Sequence, residues 1–168
     1  GHFTIFGFIS LTQLLCYHLE KIRPDLKTQI VFSKNFTIIL GPLGIGKSSI
    51  LAAGLLPRLR ARIDTHNKDT ANKFTRIRIC GPFRPSTVTE NELHIAFDTQ
   101  ESSTIVLVDQ FEELLTRATK GVRGLLENKL IDVLSGADRR VHIVAALRSD
   151  YEPHFLSILE RNKVARSH

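Results

Sequence analysis

The sequence predicts an α/β domain: a parallel sheet with helices on both faces, in three layers. Two observations carry this. Strand-like and helix-like stretches alternate at short spacing along the chain. Residues 104–108 (Thr-Ile-Val-Leu-Val) and 141–147 (Val-His-Ile-Val-Ala-Ala-Leu) are nearly unbroken apolar runs, the pattern of strands covered on both faces. The chain has 168 residues, 42% hydrophobic and 24% charged, which suits one domain with its own core.

The elements follow in order. Ser10 with Gln13 forms a capping-box pattern, and Leu11, Leu14, Leu15, Leu19 and Ile22 then recur at helical spacing until Pro24 closes the helix. Residues 36–40 read as a strand running into Gly41. A glycine-rich turn and a helix over 47–60 follow, and the polar stretch 61–73 reads as a loop. Residues 74–80 alternate as a strand that Gly81, Pro82 and Pro85 end. A helix over 89–97, the strand 104–108, a helix over 122–134 ended by Ser135 and Gly136, the strand 141–147 and a helix over 153–161 complete the chain. That gives four strands, with no fifth in the last 15 residues. Residues 1–35 form a helical lead-in and 36–156 the core of a single domain, 1–168. The chain has no Met even at position 1, which predicts a piece of a longer protein.

Composition excludes several classes. No apolar run approaches the roughly 20 residues of a membrane span. The apolar stretch 3–16 has neither a basic lead nor a small-residue cleavage site, which argues against a signal peptide. Two cysteines, Cys16 and Cys80, are too few for a disulfide scaffold or a zinc site, so a reduced, cytoplasmic compartment is expected. The net charge of +6 favours anionic partners without choosing among them. Seven His residues are scattered without metal-ligand spacing. Arg58, Arg60 and Arg62 with Arg76 and Arg78 read as solvated faces rather than a nucleic-acid patch.

The chemistry concentrates at three places. Gly41-Pro42-Leu43-Gly44-Ile45-Gly46-Lys47-Ser48 fits G-x-x-x-x-G-K-[ST] at every fixed position, between a strand and a helix. Its glycines let backbone N–H groups approach phosphates, and the helix start adds its positive dipole end. Lys47 is placed to bridge the β- and γ-phosphates, Ser48 to ligate Mg²⁺, and Ser49 to lie near the α-phosphate. Asp109 ends the strand 104–108, where it can hold the Mg²⁺ shell. Gln110 follows it and cannot take a proton. Glu112 and Glu113 are the nearest bases, and Glu112 is favoured because one helical turn brings it back over the metal. Arg148 ends the strand 141–147; beside the loop strand it would reach the γ-phosphate, whereas otherwise it pairs with Asp150 or Glu152. A guanine-binding N-K-x-D is missing its Asp at both Asn67-Lys68 and Asn128-Lys129, and L-S-G-G-Q is absent, so a GTPase and a transporter-type ATPase are disfavoured.

Together, residues 39–57 (ending Gly54-Leu55-Leu56-Pro57), 106–114 (with Asp109-Gln110-Phe111-Glu112-Glu113) and 146–151 resemble the NTPase domain of the novel STAND NTPases, often found upstream of WD-repeat propellers. The acidic pair three and four residues beyond Asp109 is also similar to the extended metal motif of NACHT ATPases. The resemblance implies a P-loop fold of the ASCE type with sheet order 5-1-4-3-2, and an ATP/ADP-operated switch that assembles into signalling oligomers. It further implies repeat or effector domains beyond this chain. Two features depart from the family: Gly7 precedes Phe8 rather than Arg, and the chain stops before the fifth strand and the winged-helix segment that the resemblance leads one to expect. The expected function is a slow Mg-ATP hydrolase within a signalling switch. The alternatives are a hydrolysis-incompetent nucleotide-binding scaffold and an AAA+-like DNA-directed ATPase.

Overall fold

A computed structural model describes residues 4–5, 9–10, 29–33, 35–69 and 76–167. Its centre is a five-stranded sheet. Strands β3 (Gln29–Ser33), β4 (Phe36–Gly41), β5 (Ile77–Phe83), β6 (Ser103–Val108) and β7 (Val141–Arg148) lie in the order β3-β4-β7-β6-β5. The four strands from β4 onward are mutually parallel, and β3 pairs antiparallel with β4 at one edge. The parallel strands therefore run first, fourth, third, second across the sheet, the order that the resemblance implied for them. A separate ribbon pairs β1 (Thr4–Ile5) with β2 (Ile9–Ser10). The lead-in helix expected from Leu11 to Ile22 lies outside the described residues.

Two apolar layers hold the sheet. On one face the long helix α1 packs Leu51, Leu55, Leu59 and Ile63 on Ile39, Ile105, Leu107, Val144 and Ala146. Helix α1 comprises Lys47–Ser49, a π-helical stretch Ile50–Leu55 and Leu56–Asp69. Its core residues recur every four positions. The wider π turn, seen where Leu56 N–H reaches back to Leu51 O, helps keep that spacing on one face. On the other face lie α2 (Glu90–Phe97), α4 (Lys120–Ser135) and α5 (Glu152–Ser167), over Phe36, Leu40, Val106, Val108, Ile143, Ala145 and Leu147. Phe155 of α5 stacks with Phe36 and meets Phe111 edge-on. Every residue of β6, and all of β7 but Arg148, is buried, as strands covered on both faces must be.

Helix ends follow local chemistry. Thr89 and Glu92 form a reciprocal capping box on α2. The Thr119 hydroxyl accepts from Val122 N–H at the start of α4, and Gly136 ends that helix in a left-handed conformation. Arg78 donates to the carbonyls of Ile95, Ala96 and Asp98, closing the far end of α2. That role takes Arg78 out of any basic surface patch.

Three boundaries differ from the sequence-based expectation. The stretch 61–69 is helix rather than loop. Ile63 anchors it in the core, and Asn67 pairs twice with the Ile77 backbone, at 2.8 and 3.0 Å. Strand β5 does not stop at Gly81 and Pro82 but continues to Phe83 past a register shift. It is an edge strand, and an edge tolerates a residue without an N–H donor. Gly81 is required there: its φ is +98°, and a Cβ would lie 2.3 Å from Leu107 O. The sheet also gains β3, where four strands were expected. Asn35, at φ 52°, makes the tight turn into β4.

Candidate functional site

The expected phosphate loop joins β4 to α1. Gly44 and Gly46 both take positive φ, 80° and 93°, which a Cβ would oppose. Ile50 N–H donates to Gly46 O at 3.0 Å, so helix bonding starts at the last loop glycine. Lys47 folds back over the loop, and its Nζ donates to Gly41 O at 2.8 Å and to Pro42 O at 2.7 Å. An ammonium has three donors, so one remains beyond these two bonds. Burial lowers the Lys47 pKa from its ordinary value, and the nearby Arg148 adds to this, while Glu112, Asp109 and Asp150 oppose it.

The acidic turn follows β6. Asp109 Oδ1 accepts from the Ser48 hydroxyl at 3.0 Å and from Gln110 N–H at 2.9 Å. Gln110 sits at φ 48°, a left-handed conformation uncommon for a residue with a side chain. Backbone bonds pin the turn on both sides: Asp109 N–H to Phe83 O at 2.7 Å, and Phe111 N–H to Ala146 O at 2.8 Å. Glu113 then opens a short helix, α3 (Glu113–Thr116). The two glutamates are held differently. Glu112 Oε2 accepts from Arg148 N–H at 3.3 Å. Glu113 is buried and pairs with Arg84 at 2.9 Å. Burial raises the Glu113 pKa, but the Ser86 hydroxyl and the Arg84 guanidinium outweigh it and hold the carboxyl below its ordinary value.

Strand β7 lies between β4 and β6, and its register sets Arg148 opposite Gly41. The Arg148 guanidinium grips both oxygens of Asp150, at 3.2 and 2.8 Å, and lies 5.2 Å from the Tyr151 ring centre. The ion pair expected as the alternative for Arg148 is thus formed, while the residue also lines the shared cavity.

That cavity, about 490 Å³, is of small-ligand size. Leu43, Gly44, Gly46, Lys47, Ser48, Asp109, Glu112, Glu113 and Arg148 all line it, so three distant stretches of sequence meet in one recess. Gly41 and Pro42 serve it through their carbonyls, whereas Ile45 and Ser49 are not among its lining residues. Thr116, Arg117 and Tyr151 line it too and were not anticipated. Thr116 and Arg117 end the short helix α3, and Tyr151 closes the third motif stretch, where no periodic pattern flags them. Ser48 and Asp109 offer hard oxygen donors close together, a set that suits Mg²⁺, which keeps several waters and takes few protein ligands. No group of three His, Cys, Asp or Glu side chains is arranged to hold a metal among the described residues. No helix among them is long and apolar enough to cross a membrane.

A parallel α/β sheet with a glycine loop between its first parallel strand and first long helix defines a P-loop NTPase-like domain. The family is more specific. The profile described as Novel STAND NTPase 1 matches residues 11–168, and the chain belongs to that family. Nothing among the curated proteins matches the chain.

Proposed function

We propose that this domain binds Mg-ATP at residues 41–49 and hydrolyses it slowly, as the nucleotide-operated part of a STAND-type signalling switch. The observation that carries the reading is the 3.0 Å hydrogen bond from Ser48 to Asp109, which joins the start of a glycine-loop helix to the acid ending a separate strand. Backbone N–H groups of residues 43–48 would cradle the phosphates, and Lys47 would turn its donors from Gly41 and Pro42 to phosphate oxygens. Ser48 and Asp109 would hold Mg²⁺, which supplies charge neutralisation on the phosphates when bound. Glu112, fixed by Arg148 N–H, would take the proton of the attacking water, in preference to Glu113, whose carboxylate is committed to Arg84. Arg148 would exchange Asp150 for the γ-phosphate and so distinguish ATP from ADP.

In this reading residues 36–156 form the nucleotide-binding core. The switch acts in the cytoplasm on repeat or effector domains elsewhere in a longer chain, with self-assembly in the ATP state. The test is ATP and ADP affinity of the parent beside Lys47→Ala, with turnover of Glu112→Gln and Glu113→Gln. Lys47→Ala is expected to lower affinity by tenfold or more, and Glu112→Gln to abolish turnover. Unchanged binding in Lys47→Ala sinks the site, and full turnover in Glu112→Gln sinks the assignment of the base. Gln110, where an acid would be a simpler base, favours a second reading, a scaffold that binds but does not hydrolyse. Bound ATP persisting without phosphate release would select it.

A further inference from the structure

Arg84 follows β5 by one residue and is not among the residues lining the cavity, yet it grips the acidic turn at both ends. Its Nε donates to Glu113 Oε1 at 2.9 Å, and its Nη2 donates to Gln110 Oε1 at 3.0 Å. A guanidinium presents its donors in a fixed fork, so the two acceptors are locked at one spacing. Between them the backbone closes through Glu113 N–H to Gln110 O at 2.9 Å. The turn carries Gln110 at φ 48°, a strained conformation that persists only where the surroundings over-determine it. The Glu113 side chain is only 5% exposed, so its charge needs partners there, and Arg84 is the cation paired with it.

We propose that Arg84 is the positioning residue of the acidic turn: by clasping Gln110 and Glu113 it sets Asp109 against Ser48 and aims Glu112, with Glu113 serving as anchor rather than base. This rests on the nucleotide-binding reading above and assigns it a residue just past a strand that carries none of the three motifs. A residue that only braced the fold would change stability and leave the coupling of metal to nucleotide intact.

The experiment measures ATP affinity of the chain with Mg²⁺ and with the metal chelated, for the parent, Arg84→Ala and Gln110→Ala. Gln110→Ala keeps the Arg84–Glu113 pair, so it remains informative where Arg84→Ala fails to fold. For the parent, Mg²⁺ is expected to tighten binding severalfold. In both variants that ratio falls toward one, while metal-free affinity stays within about threefold because the glycine loop is untouched. Arg84→Lys, which retains charge but lacks the two-armed fork, falls between. A parent-like Mg²⁺ ratio in folded Arg84→Ala or in Gln110→Ala overturns the proposal alone. A parent that shows no nucleotide affinity, or no response to Mg²⁺, overturns the nucleotide reading and this proposal with it.

Discussion

Replacing Gly81 with alanine isolates what the edge strand does for the site. Two penalties add there. A side chain at φ +98° is held in a backbone conformation that disfavours L-residues by about 1–2 kcal/mol. The new Cβ would also stand 2.3 Å from Leu107 O, a backbone atom that yields only if β5 moves off β6, and 2.9 Å from Phe83 N within β5 itself. Overpacking of that kind costs about 1–3 kcal/mol. Gly136 supplies the reference: its φ is +79°, but its Cβ direction is open, so Gly136→Ala carries the backbone penalty alone. Urea unfolding followed by circular dichroism should place Gly81→Ala below Gly136→Ala by about 1–3 kcal/mol, a large share of the stability of a typical domain. The displaced backbone includes Phe83, whose carbonyl accepts from Asp109 N–H, so nucleotide affinity should weaken as well. Equal destabilisation by the two variants would refute the reasoning, because it would show that the close approach to Leu107 carries no energy.

Two further predictions concern pH. His142 is fully buried beside the Thr37 hydroxyl, and burial pushes its pKa down to about 3 from an ordinary 6.5. Its neutral form suits the fold, so its contribution is complete above pH 6.5 and is lost as pH falls from there toward 3, with a slope of about 1.4 kcal/mol per pH unit. Unfolding midpoints between pH 7 and 4 should therefore fall more steeply for the parent than for His142→Gln; parallel profiles would count against it. Lys47, with its pKa lowered by burial, loses its charge at lower pH than an ordinary lysine. ATP affinity should accordingly decline on the alkaline side before pH 10.5, and titration calorimetry that finds no decline before that point would remove Lys47 from the phosphate contacts.

Much of this domain was legible because its chemistry is local. The loop needs glycine at Gly44 and Gly46 for positive φ, and Asp109 ends an apolar run that has to be a central strand. What escaped depended on partners distant in sequence. Strand β3 is a five-residue stretch whose pairing is supplied by β4 across a turn at Asn35. The helix over 61–69 reads as polar, and its hold comes from Ile63 and from Asn67 against β5. Strand β5 survives its proline because it lies at an edge, a fact of strand order. Arg84 carried no signal for the same reason: only the adjacency of β5 and β6 brings it to Glu113.

The registers also give the recess its depth. Strand β6 ends with Val108 level with Ala145, whereas β4 ends with Gly41 level with Arg148, three residues farther along β7. At about 3.3 Å per residue that staircase drops roughly 10 Å. The chain from Asp109 climbs the riser, tied to Ala146 and then to Arg148, before it turns into α3. Lengthening or shortening that ascent by a single residue would leave the loop and the sheet whole while lifting the acids off their step.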